Sequence, residues 1–197
     1  MTNTDLHHFL RTRRSVRRFM PRPVPAPVIE RVLETATYAP SAHNLQPWRF
    51  AVVADSSAKN RLGQALVEKM QTDMAAGGAP QSEVDSRVER SLHRLDEAPV
   101  VILLCRDMTA VRSDEPEEVS MAIQSIAAAG LQLLLGAHAE GLGGNWICWP
   151  LYAQEAVREA LDLPQAWEPQ AMFFLGYADG EPRKKVVKSL NEIMVIE

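Results

Sequence analysis

Two short polar stretches contain most of the groups in this chain that could do chemistry. The first is Arg13-Arg14-Ser15-Val16-Arg17-Arg18-Phe19 and the second is Pro40-Ser41-Ala42-His43-Asn44-Leu45-Gln46-Pro47. Five arginines fall within residues 11 to 18. A guanidinium grips phosphate through two parallel N–H donors, and Ser15 with nearby backbone amides could complete such a cradle. A second basic group, Arg183, Lys184, Lys185 and Lys188, follows near the C-terminus. On residue types alone, a solvated charged face remains an alternative. In the second stretch Ser41, His43, Asn44 and Gln46 offer a hydroxyl, an imidazole and two amides within six positions. Amide side chains carry donor and acceptor together, which matches the alternating edge of a pyrimidine-like ring. The alternative is that Asn44 and Gln46 only cap and bridge the loop backbone. Together the stretches predict a site where they meet, anion-binding at one end and shaped for a flat, polar-edged group at the other.

Other chemistries find little support. The net charge of -4 and the lack of aromatics interleaved with the arginines argue against nucleic acid as a partner. Gly141-Leu142-Gly143-Gly144 lacks the third glycine and the acidic residue of a dinucleotide fingerprint, and no phosphate-binding P-loop is present. His7-His8, His93 and His138 have no companion ligands at metal spacing, so no metal is expected. Cys105 and Cys148 sit in apolar runs and are expected to be buried thiols in a reducing, cytoplasmic compartment. No membrane-spanning stretch and no secretory signal are expected. The lack of an acid–base set is consistent with a cofactor that carries the reaction.

Positioning these residues falls to one domain over residues 1–197, in which 46% hydrophobic and 23% charged residues suffice for a core. Leu6, Phe9 and Leu10 predict a docking helix over 5–12, capped by Asp5. Alternating prolines from Pro21 to Pro27 hold the chain extended and suit the start of a helix whose face is Val28, Ile29, Val32, Leu33 and Ala36. That helix ends where Pro40 biases Ala39 away from helical geometry. A strand over 48–54 is followed by a cap at Asp55 and by two helices. The first runs through Leu62, Leu66 and Met70, and the second starts at Ser82 with Asp85 in capping-box style and a Val84, Val88, Leu92, Leu95 stripe. Val100 to Leu104 is a continuous apolar run suited to a central strand. Residues 117–140 predict a long helix with little exposed surface, expected at the centre of a dimer interface, with the core helix of a monomer as the alternative. Gln124, Gln132, His138 and Glu118 speak against a membrane span there. Gly141 caps this helix ahead of a strand over 145–149, a short helix through Val157, and a last strand from Gln170 to Tyr177. The tail ends in Leu190, Ile193, Met194, Val195 and Ile196, which reads as an arm that docks elsewhere, such as on a partner subunit. The pattern predicts a layered α+β domain whose strand directions are not readable.

The order and spacing of Arg13-Arg14-Ser15-Val16-Arg17-Arg18-Phe19, Ala39-Pro40-Ser41-x-x-Asn44-x-Gln46-Pro47-Trp48-x-Phe50, and Gly141-Leu142-Gly143 before Trp146 resemble the FMN-dependent nitroreductase superfamily over essentially the whole chain. The two helices before Ala98-Pro99-Val100-Val101, with Leu163-Pro164-x-x-Trp167-x-Pro169, are more narrowly similar to a nitroreductase-like subgroup. That subgroup is the C-terminal domain of the bifunctional coenzyme F420:L-glutamate ligase. The resemblance implies a helix-flanked, mostly antiparallel central sheet in an intertwined homodimer, with FMN at two interface sites. NAD(P)H would reduce the flavin and a small nitroaromatic, quinone or flavin-like acceptor would then reoxidise it, in ping-pong fashion. A reductase acting on a deazaflavin (F420) precursor and a non-catalytic flavin-binding module are the alternatives.

Carried over by position, the resemblance places Arg13, Arg14, Ser15, Val16 and Arg17 around the phosphate, ribityl chain and pyrimidine edge. A cation at Arg17 would stabilise the anionic reduced ring. Pro40, Ser41 and Asn44 would line the ring with Gln46 in support, and the Gly143 to Cys148 segment, including Ile147 and Cys148, would approach its reactive face. Lys185 and Lys188 are the late candidates for the phosphate. His43 and Trp149 fall to the substrate pocket.

Overall fold

The computed structural model describes residues 2–182 and 184–196. Trp48–Val53 (β1), Val100–Asp107 (β2), Gly143–Ile147 (β3) and Trp167–Gly176 (β4) form one sheet in the order β1-β2-β4-β3, with every neighbouring pair antiparallel. The helices are Asn3–Thr12 (α1), Ala26–Thr37 (α2), Ser56–Ala76 (α3), Gln81–Glu97 (α4), Pro116–Ala139 (α5) and Gln154–Ala160 (α6). All of β2 is buried, as its apolar run predicts, and alternate residues serve opposite faces. Ile102 and Leu104 pack with Val32 and Ala36 of α2 and with Ile126 and Leu133 of α5. Val101, Leu103 and Cys105 pack on the other side with Leu62 and Leu66 of α3, Leu95 of α4 and Val157 of α6. The result is an α+β sandwich of helices around an antiparallel sheet.

Among the described residues α5 alone is long and apolar enough to cross a membrane. Its Ala129, Leu133 and Ala137 are instead fully buried against the sheet, and a Cβ at Gly130 would lie 2.7 Å from the Trp146 ring of β3. The opposite face is open, with Ile123 43% and Leu131 51% exposed. α1 buries no residue and leaves Leu6 and Leu10 in solvent, and the tail from Lys184 to Ile196 is exposed throughout.

Several local expectations change. The cap of α1 is Thr2, whose hydroxyl accepts the Asp5 N–H while the Asp5 carboxylate accepts the Thr2 N–H, so Asp5 is the third residue of the box. α4 starts one residue before Ser82, behind Pro80 and without a side-chain cap, and Asp85 accepts from Gln81 Nε2 instead. Leu92 lies with Leu95 against Gly63 of α3, as the stripe predicts, but stays 38% exposed. β3 lies two residues earlier than expected, because Trp149-Pro150 opens a 3-10 turn and a proline has no N–H for a ladder. Cys148 precedes that turn and is exposed, not buried, whereas Cys105 is buried and its thiol is pushed up to about 12 by desolvation.

Candidate functional site

The arginine stretch lies extended along the free edge of β3. Ser15 bridges Gly144 in parallel, and the Val16 N–H donates to the Gly144 carbonyl at 3.0 Å. Farther on, Phe19 bridges Ala178, and the Asp179 N–H donates to the Arg18 carbonyl at 3.0 Å. A Cβ on Gly143 would come 2.6 Å from Val16, so the glycine turn is what lets the stretch lie this close. Among the described residues no carboxylate forms an ion pair with Arg11, Arg13, Arg14, Arg17 or Arg18. Arg14 spends one nitrogen on the carbonyls of Arg11 and Arg13. The remaining guanidinium donors could receive an anion.

His138, near the end of α5, closes one side of this cluster. Its Nε2 is 3.2 Å from the Thr12 hydroxyl, and Phe9 stacks on its ring at 4.8 Å. Burial, with the neighbouring Arg13 charge, holds its pKa below the ordinary imidazole value. The ring is therefore neutral at neutral pH.

Three hollows adjoin the stretch and the end of β3. One of about 250 Å3 lies between Arg13, Arg14, His138 and Gly143. A cleft of about 730 Å3 runs between Ser15–Arg18 and Arg90, His93 and Arg94 of α4, with Glu97, Asp179 and Glu181 also in its wall. A cavity of about 530 Å3 gathers Ile147, Cys148, Trp149 and Tyr152 against Met70 and Met74 of α3 and Arg87 and Ser91 of α4. The basic flank of α4 is absent from the sequence-based expectation. Its only signal there is the helical spacing of Arg87, Arg90 and Arg94. Another hollow, of about 610 Å3 between α3 and α4, holds none of the predicted residues. Among the described residues no three His, Cys, Asp or Glu side chains cluster as a metal site would need.

The second stretch is a strained loop. Ala42–Asn44 forms a 3-10 turn, and His43, Asn44 and Gln46 have φ of 52°, 54° and 50°. Left-handed backbone at non-glycine residues costs roughly 1–3 kcal/mol each and persists only where the surroundings impose it. Here Ser125 of α5 accepts the Ala42 N–H, Ser41 Oγ accepts the Gln46 N–H, and the Pro47 carbonyl accepts the Asp107 N–H at 2.8 Å. His43, Asn44 and Gln46 are left exposed. Gln46 Nε2 donates to Asn44 Oδ1 at 3.1 Å, so the amides bridge the loop in part while remaining open to solvent. The His43 imidazole sits between Arg112, 3.3 Å from Nδ1, and Glu118, 3.6 Å from Nε2.

The two stretches do not meet within one chain. The loop precedes β1 and contacts the middle of α5, whereas the arginine stretch borders β3 and the end of α5. β1 and β3 are the outer strands, about 14 Å apart at the usual strand spacing. Ser125 and His138 are about 20 Å apart along α5. Lys185 and Lys188 are exposed, and among the described residues neither forms an ion pair. Pro182 lines both the small hollow and the large cleft, so the tail departs from the site itself. Arg183 lies outside the described residues.

Comparison with known proteins gives this arrangement a context. The nitroreductase family's sequence profile matches residues 10–177. The Bacillus subtilis (strain 168) protein named "Putative NAD(P)H nitroreductase YfhC" is 31% identical over 183 residues, 91% of this chain and 88% of its own length. A Desulfovibrio desulfuricans structure described as a "putative nitroreductase in complex with fmn" is 25% identical, with a TM-score of 0.76 over 100% of this chain and 98% of that one. Nitroreductase CinD from Lactococcus lactis, solved with nicotinic acid, shares the fold at 16% identity, with a TM-score of 0.80 over 98% of this chain and 99% of its own. Profile, sequence and fold agree over nearly the full length, and the chain belongs to the nitroreductase family.

Proposed function

We propose that this protein is an FMN-dependent NAD(P)H oxidoreductase acting as a homodimer. The observation that carries the reading is the arginine stretch, rich in guanidinium donors unmatched by carboxylates and pinned along β3 by the glycine turn. This donor set fits the phosphate of a flavin mononucleotide. Arg13, Arg14 and Ser15 would hold it, with Lys185 or Lys188 closing from the tail. Val16 and Arg17 would lie along the ribityl chain and pyrimidine edge, and the Arg90–Arg94 segment of α4 would wall the cleft. Gly143, Ile147 and Cys148 would approach the reactive face. Pro40, Ser41, Asn44 and Gln46, too distant within one chain, would come from a second copy, with His43 and Trp149 near the acceptor. The bare faces of α1 and α5 and the exposed apolar tail supply the surface for such a pairing.

Bound FMN would supply the redox chemistry, taking a hydride from NAD(P)H and, once the nicotinamide leaves, passing two electrons to the acceptor in ping-pong order. For a nitroaromatic, one NAD(P)H and one proton would give NAD(P)+, the nitroso compound and water. A second reading is a reductase acting on a deazaflavin precursor.

Purified protein should carry or take up FMN, and NAD(P)H should bleach it anaerobically. Failure to bind flavin overturns the proposal. Failure to bleach removes the NAD(P)H reading and leaves a deazaflavin-dependent or non-catalytic flavin protein. A panel of nitroaromatics, quinones and deazaflavins then separates the two enzymatic readings. Replacing Arg13 and Ser15 together with alanine should release FMN while the circular dichroism spectrum is kept, and unchanged flavin content counts against the phosphate assignment.

A further inference from the structure

Two of the hollows described above share a wall, and the wall is one flank of α4. At about 100° per residue, positions 87, 90, 91 and 94 fall on a single arc of the helix. Arg90 and Arg94 line the cleft beside Ser15–Arg18, whereas Arg87 and Ser91 line the cavity beside Ile147, Cys148 and Trp149. The two spaces are consecutive stations along one helix, with Arg87 and Arg94 about 10 Å apart along its axis. We propose that the cavity at the Arg87 end is the acceptor pocket and that Arg87 selects planar aromatic acceptors bearing a carboxylate. This rests on the flavin reading above, in which the cleft holds the cofactor and Ile147 and Cys148 lie at its reactive face.

The chemistry of the walls supports that class of ligand. Trp149, Tyr152, Met70 and Met74 offer aromatic and thioether surface to a flat ring. Asp73 is the carboxylate in this wall, and Lys69, one turn earlier on α3, pairs with it. Glu83, one turn before Arg87, forms no ion pair with it, and among the described residues Arg87 has no other charged partner. The charge left over in the cavity is therefore positive, with the Ser91 hydroxyl one turn further along the same flank. A guanidinium matches a carboxylate with two parallel hydrogen bonds, and apolar walls strengthen such a pair relative to open water. A neutral acceptor of the same shape would gain only the stacking and apolar contacts.

The test uses flavin-loaded protein with 4-nitrobenzoate and its methyl ester, which share the ring and the nitro group. Relative to wild type, Arg87→Gln should raise the calorimetric Kd of the oxidised protein for 4-nitrobenzoate about tenfold, with a similar fall in kcat/KM. The ester should change by less than about twofold, and Arg87→Lys should recover part of the loss, since a lysine keeps the charge without the fork. Flavin content should stay at the wild-type value. Parallel shifts for both compounds, no shift for either, or a wild type that binds the ester as tightly as the carboxylate overturns the assignment of Arg87. Protein that takes up no flavin refutes the underlying reading, and the proposal falls with it. That failure is visible before any acceptor is added.

Discussion

A methyl group at position 143 would sit 2.6 Å from the Val16 side chain, on the face where the arginine stretch meets β3. Gly143→Ala must therefore either push Val16 outward or bend β3, and overpacking of this kind costs roughly 1–3 kcal/mol. Because Val16 stands between Ser15 and Arg17, the displacement moves the anion-binding donors as a group. Gly143→Ala is expected to lower the midpoint of thermal unfolding and to weaken FMN retention together, measured by calorimetry with and without added cofactor. Loss of stability with undiminished retention would show that the close contact positions nothing in the site. Asn44 and Gln46 are held in left-handed backbone by the turn they build, so their amides face solvent in a fixed direction. That is a prepared surface, set apart from the arginines of its own chain by the width of the sheet.

At the scale of elements, α5 has one buried and one bare face. Ile123, Ala127 and Leu131 follow one another at helical spacing on the bare side. Leu131→Glu is expected to turn a dimer into a monomer in sedimentation velocity and to abolish flavin binding while leaving helix content intact. An unchanged dimer would place the interface elsewhere. α2, β2 and α5 were legible in the sequence because each is bounded by prolines or turn residues and stands out within those bounds, α2 by its helical period and β2 and α5 by their apolar composition. The strand expected over 145–149 lies two residues earlier because Trp149 reads as strand, while Pro150 sets a turn there. The arginine stretch and the Pro40–Pro47 loop were legible as candidates, but not their separation, which follows from the strand order. Arg87, Arg90 and Arg94 could not be told from solubility charges along one dimension. They become lining residues only once α4 lies beside the arginine stretch and the end of β3.

Taken whole, the molecule carries ionisable groups whose shifts act in the same direction, His138 and Asp107 among them. His138 is held neutral by burial and by Arg13, so the unfolded chain protonates it more readily than the folded one. Burial pushes Asp107 up, but hydrogen bonds from Thr109 and the charge of Arg49 outweigh it and hold the carboxyl below its ordinary 3.8. For both, the unfolded state binds more protons over the window between the folded and unfolded pKa values, so stability is lost as pH falls. Denaturant midpoints are expected to drop first below about pH 6.5, the ordinary imidazole value. A further drop should follow through the carboxylate range. His138→Asn should flatten the first decline, and a midpoint that rises from pH 7 to pH 5 would contradict the assignment. β3, finally, is an outer strand, and an unpaired strand edge is a template on which other chains can add and aggregate. The segment covering part of that edge is the arginine stretch, held by the Ser15–Gly144 bridge. Guarding a sticky edge and gripping an anion thus fall to the same few residues, so a mutation that frees this segment endangers solubility as well as ligand binding.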